Sequence, residues 1–133
     1  MYTWMWGETM KSKARGLEVK HYWSPDIHNP WAWAPENNVV FYLLEMNIGK
    51  SSGDAADIYS VIVATPEGIL SLRGERGAAT LDRSYKILLL DEYSWEKVVH
   101  MVNSIVATVD ASNEIRISEG LRGYFYWEYQ SMK

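Results

Sequence analysis

The segment VVFYLLEMNIGKSSGDAADIYSVIVAT, residues 39–65, decides the fold. Its first ten residues are rich in aromatic and β-branched side chains and predict a long strand over 39–48. Side chains alternate across a strand, so Tyr42, Leu44, Met46 and Ile48 share one face and Phe41, Leu43, Glu45 and Asn47 the other. The second face passes from apolar to polar, which predicts cover near Phe41 and water near Asn47. KSSGD, residues 50–54, is turn chemistry. DIYSVIVAT, residues 57–65, resumes the strand pattern with Tyr59, Val61 and Val63 facing one way. Two strands joined by so short a loop predict an antiparallel hairpin.

Working outward, Thr65-Pro66-Glu67 reads as a helix start, with Thr65 as cap and Pro66 at the first helical position. That helix is short and ends near Arg73-Gly74, and residues 74–84 form a loop. LEVKHYW, residues 17–23, alternates and predicts a first strand, with its phase at His21 or Tyr22 left open. YKILLL, residues 85–90, predicts a buried strand by its apolar run. SWEKVVHMVNSIVATV, residues 94–109, predicts a helix capped by Ser94. Trp95, Val98, Val99, Val102, Ile105, Val106 and Val109 fall on one stripe, and Glu96, Lys97, His100, Asn103 and Ser104 on the other side. Residues 112–123 suit another helix, although Ile115 and Ile117 also suit a strand; Gly120 and Gly123 read as caps at its end. YFYWEY, residues 124–129, closes the chain as an extended segment. The inventory predicts a single two-layer α+β domain over 17–133, with a largely antiparallel sheet of about four strands and helices packed on one face. Residues 1–16 fit no element and read as an N-terminal arm or extension.

Composition narrows the function classes. A chain of 133 residues, 47% apolar and 23% charged, suits one globular domain. It has no cysteine, which excludes disulfides and thiolate metal sites. The formal net charge is −4 and no basic stripe is present, so direct nucleic-acid binding is not expected. No apolar run approaches the roughly 20 residues that span a bilayer, and residues 1–16 lack the continuous apolar core of a signal peptide. A cytoplasmic protein that meets no membrane is expected, a monomer or a weak homo-oligomer.

Little in the chain suggests bond chemistry. Asp26 and His28 are the nearest approach to a base and its orienting carboxylate, or to a pair of metal ligands, with Glu36 the third candidate in the loop. A solvated histidine is the simpler reading. His100 lies four residues after Glu96, which predicts a helix-surface pair. No serine lies in a G-x-S-x-G elbow, and Gly68, Gly74 and Gly77 do not form a phosphate cradle. Asp91-Glu92 follows a strand, where active sites often lie, but adjacent residues on a strand point apart and the pair reads as a polar turn leading to Ser94. No catalytic residue, metal or cofactor is expected.

Surface chemistry is the stronger signal. SPDIHNPWAWAPENN, residues 24–38, places Trp31 and Trp33 between Pro30 and Pro35, where regular structure is blocked. The rings either cap the core edge or stand out as anchors on a stiffened loop; one packing and one showing is the expected compromise. The chain holds 7 Trp and 9 Tyr against 2 Phe, a balance that suits interfaces as well as cores.

HYWSPDI, then a long strand ending in MNIG, then a strand running into VATPEGI, and finally LRGYFYWEYQ occur in this order along residues 17–130. Together they resemble the immunity protein 8 family of bacterial polymorphic toxin systems. The resemblance implies an antidote that binds the toxic C-terminal domain of a large secreted effector, in many cases one of contact-dependent inhibition, and silences it without catalysis. It carries over no binding residues. Surface chemistry nominates Trp31, Trp33, Glu36, Asp54, Asp57, Asp91 and Glu92, since an acidic inhibitor is drawn to a basic toxin such as a nuclease. Two other classes stand beside this one: a small ligand-binding or enzymatic domain using the Asp26/His28 loop, and a structural subunit presenting tryptophans to its own copies.

Overall fold

A computed structural model describes residues 16–72 and 86–128. In chain order the elements are β1 (Leu17–Trp23), a 3-10 turn (Pro30–Ala32), β2 (Phe41–Lys50), β3 (Asp57–Ala64), α1 (Pro66–Leu72), β4 (Ile87–Leu89), α2 (Trp95–Thr108), α3 (Glu114–Arg122) and β5 (Tyr126–Trp127). The architecture is α+β, as expected. The predicted loop over 74–84 lies outside the described residues, as does nearly all of the arm over 1–16.

The hairpin forms as its sequence dictates. β2 and β3 pair antiparallel from Phe41 opposite Ala64 to Ile48 opposite Asp57. Tyr42, Leu44, Met46 and Ile48 are all buried on the inner face. On the outer face Phe41, Leu43, Glu45 and Asn47 are all half-buried, so the expected gradient from cover to water is absent. Glu45 is held by the Trp23 indole, which donates to its carboxylate at 2.8 Å.

β1 joins the other edge of β2, antiparallel, with a register shift between Val19 and His21. The shift changes the alternation, so Tyr22 and not His21 follows Leu17 and Val19 onto the core. β3 is the central strand. β2 lies along one edge; β4, running parallel, and the two-residue β5, running antiparallel, divide the other. Every residue from Tyr59 to Thr65 is consequently buried.

The apolar run of β4 misled the expectation of a buried strand. Leu88 and Leu90 enter the core, but Ile87 and Leu89 are 40% and 50% exposed. Among the described residues β4 pairs with β3 alone, and no described strand or helix packs over Ile87 and Leu89 enough to bury them.

α2 behaves as its stripe requires. Ser94 Oγ accepts from the Lys97 N–H at 3.1 Å, capping the helix. Val98, Val102 and Val106 are buried, with Trp95, Met101, Ile105 and Val109 packed around them. Full burial of each such side chain is worth about 1.5–3 kcal/mol, which outweighs the slight reluctance of valine to be helical. Glu96 and His100 form no ion pair; the two pairs among the described residues are Lys20–Glu18 and Lys97–Glu92.

Residues 114–122 settle as helix, capped by Asn113 Oδ1, which accepts from the Arg116 N–H at 2.9 Å. Gly120 is not a cap. It lies inside α3, where a Cβ would come within 2.8 Å of Val109 Cγ1, so its role is close packing against the end of α2. Gly123 does close the helix, in a right-handed conformation. Phe125 then turns into the core and β5 follows.

Candidate toxin interface

The loop over 24–40 is built to hold one tryptophan in and one out. Asn29 takes a left-handed conformation, φ 55°, which asparagine tolerates better than most residues. Buried Pro30 then opens the 3-10 turn, closed by the Ala32 N–H donating to Asn29 O at 2.9 Å. The reversal lays Trp33 edge-on against Tyr42 and Tyr93, with ring centroids 5.8 and 5.4 Å away. Trp31 is left 55% exposed.

Both ends of the loop are pinned. β1 stops at Trp23 opposite Glu45, so the Leu43 N–H finds a substitute acceptor in Asp26 Oδ2 at 2.8 Å. Asp26 is thus committed to the backbone of β2. His28 is exposed, and among the described residues no group of three or more histidine and carboxylate side chains is arranged to hold a metal. At the far end the Asn38 amide donates to Asp91 O at 2.6 Å and to Glu67 Oε1 at 3.2 Å. Its oxygen accepts from the Tyr93 N–H at 2.9 Å. One side chain therefore ties the loop to the start of α1 and to the turn after β4.

The Tyr42 and Tyr93 hydroxyls lie 2.9 Å apart. Burial pushes the Tyr42 phenol above the usual range, and its bond to Tyr93 pushes it further. Burial likewise raises Tyr93, although the bond to Tyr42 acts in the opposite sense. The two phenols share one hydrogen bond beneath Trp33.

Around this loop the end of the sheet is acidic. Glu36, Glu67, Asp91, Glu92 and Glu96 are all exposed. Lys97 answers them in part, donating to Glu92 O at 3.2 Å with the Glu92 carboxylate 3.9 Å away. Asp91, Glu92, Glu96, His100 and Met101 line a shallow cleft of about 410 Å³. Of the seven residues nominated from the sequence, Trp31, Trp33, Glu36, Asp91 and Glu92 come to this end. Asp54 and Asp57 do not: they lie at the β2–β3 turn, roughly 25 Å away at about 3.3 Å per strand residue.

Asn38 and Tyr93 are essential to the shape of this end and were not nominated. Nothing local in the sequence marks Asn38 as a clamp between segments 53 residues apart. Glu67 and Glu96 read as first-turn helix residues, which they are. An exposed indole and exposed carboxylates at the same end of the sheet provide anchors and potential for a protein partner.

The family described as immunity protein 8 matches residues 17–132. The chain belongs to the immunity protein 8 family. As an immunity protein it has a toxin for a partner, and its work is to bind. No curated protein and no solved structure matched the chain. No helix among the described residues is long and apolar enough to cross a membrane.

Proposed function

We propose that this immunity protein neutralises the C-terminal toxin domain of a secreted effector of the contact-dependent inhibition type, inside the cytoplasm of the cell that makes both. The toxin is a nuclease with a cationic cleft, and the Trp31 end of the sheet closes over it. Inhibition is by occlusion; no bond is made or broken by this chain.

The observation that supports this most is the exposed Trp31 standing on a loop whose far end is tied through Asn38 to Asp91 and Glu67. A stiff loop loses little entropy on binding, and an aromatic anchor at the centre of an interface commonly carries most of its energy. Negative potential around it speeds encounter with a basic partner and orients the approach. A stable complex needs roughly 1,200–2,000 Å² of buried surface, more than one ring supplies, so the carboxylates and the cleft beside α2 belong to the same footprint.

The test begins with the reading frame next to this gene. Its C-terminal domain, expressed alone, is expected to arrest growth, and this protein to restore it and to co-purify with the domain. Trp31→Ala combined with Asp91→Lys is expected to abolish rescue while the protein stays folded. A harmless neighbouring domain, or rescue undiminished by the double variant, would overturn the proposal.

A further inference from the structure

A second surface lies at the opposite end of the hairpin. The turn between β2 and β3 and the exposed side of α3 enclose a groove of about 660 Å³. We propose that this groove receives a segment of the same toxin in which an aliphatic side chain stands next to a lysine or arginine. The inference rests on the reading of the protein as a toxin inhibitor and extends it to a second, separate contact.

The groove has an apolar floor. Ile48, Tyr59 and Ile117 form its base, and Trp127 stacks on Tyr59 with ring centroids 6.5 Å apart and planes 21° from parallel. At the rim Ile115 is 71% exposed, the most exposed of the large apolar side chains among the described residues. It faces water on a helix that has already committed Leu121 to the core. A floor of this kind takes an aliphatic side chain, and the volume falls within the roughly 300–1,000 Å³ of ordinary binding sites.

Its rim is acidic. Asp57, Glu114 and Glu119 line the groove. Arg122 and Lys50 line it too, but the Arg122 guanidinium lies 5.6 Å above the Trp127 ring, a position that holds it against the floor. Partial burial raises the Asp57 carboxyl, and Glu128 and then Glu114 raise it further. Negative charge is therefore crowded at Asp57, and an incoming ammonium or guanidinium relieves it. A second copy of this chain, with its own net charge of −4, is the wrong partner for such a rim.

The walls are set before anything binds. Gly49 packs so closely on the Ala55 carbonyl that no side chain fits there. The Ser51 N–H donates to Gly16 O at 2.9 Å, the Gly53 N–H to Lys50 O at 3.2 Å, and Lys20 Nζ to Gly53 O at 2.6 Å. A turn fastened to β1 in this way has little freedom left to lose.

The experiment titrates the purified cognate toxin domain into wild-type protein and into the Asp57→Asn and Ile115→Ser variants, by calorimetry, with thermal melts alongside. Both side chains are exposed, and relief of crowding at Asp57 is expected to leave that variant at least as stable as wild type. Each variant is expected to bind about tenfold more weakly. Hydrogen exchange on the wild-type complex is expected to show new protection over residues 114–119. Affinities within about twofold of wild type for both variants, or no protection over α3, would overturn the groove while leaving the toxin reading intact. Failure of the wild-type protein to bind the toxin at all would overturn both. A groove that loses its toxin contact yet takes up a small cationic amphiphile counts against the peptide as occupant.

Discussion

Thr65 shows how much one side chain can organise. Its hydroxyl donates to Asn38 O at 2.6 Å and accepts from the Val40 and Gly68 N–H groups, each at 3.1 Å. It thus caps α1 and at the same time joins the end of β3 to the start of β2. Thr65, Val40 and Gly68 are all buried, so the two N–H donors have no water to turn to instead. Thr65→Val keeps the shape and removes all three bonds. The expected loss is at least about 1–3 kcal/mol, the cost of unsatisfied buried groups, read as a lower urea midpoint. Tyr22 makes a different demand. Its ring packs edge-on against Trp95 at 5.1 Å, and its hydroxyl meets no partner among the described residues. Burial pushes the phenol from 10.0 up to about 12. The folded state holds this proton more tightly than the unfolded state, so the stabilisation is complete below pH 10 and disappears as pH rises towards 12. Alkaline titration followed by circular dichroism is expected to show unfolding in that window, and Tyr22→Phe to shift its onset upward.

At the level of elements, α2 illustrates agreement between local and tertiary preference. Its stripe, its Ser94 cap and the first-turn Glu96 all point to the same helix. Ser94→Ala is expected to cost about 1 kcal/mol, measured by thermal melting, because the Lys97 N–H loses its acceptor. β4 shows the opposite case. A continuous apolar run cannot distinguish a strand buried on both faces from one with an open face, since both contain the same residue types. The difference lies in what packs above, which the run does not encode. β1 adds a third lesson: the uncertain phase at His21 and Tyr22 reflected a real register shift, visible in the sequence only as an imperfect alternation.

For the whole molecule, the two loop tryptophans are expected to divide stability from recognition. Trp33→Ala removes a ring wedged between Tyr42 and Tyr93 and is expected to cost about 2 kcal/mol or more of stability. Trp31→Ala is expected to leave stability within about 0.5 kcal/mol and to weaken toxin binding about tenfold or more. Paired melts and binding isotherms check both, and equal effects on both quantities by both variants would contradict the division. If the proposed cationic toxin is the partner, the association rate is expected to fall steeply as salt is added, since salt screens the attraction between exposed charges.

Residue order alone determined the hairpin, the capped helices, the α+β class and the resemblance to an immunity protein. The first three rest on turn and cap chemistry or on a side-chain period, and the resemblance rests on motifs in a fixed order; such signals survive in a linear string. The order in which strands adjoin β3, the open face of β4, and the sorting of the acidic candidates to two ends were decided by tertiary structure. Glu36 and Asp91 come to one end, and Asp57 and Glu114 to the other, only because β2 and β3 run antiparallel and α2 spans the sheet between them. Long-range pairing sets those distances, and no local property of a carboxylate records which distant strand will be its neighbour.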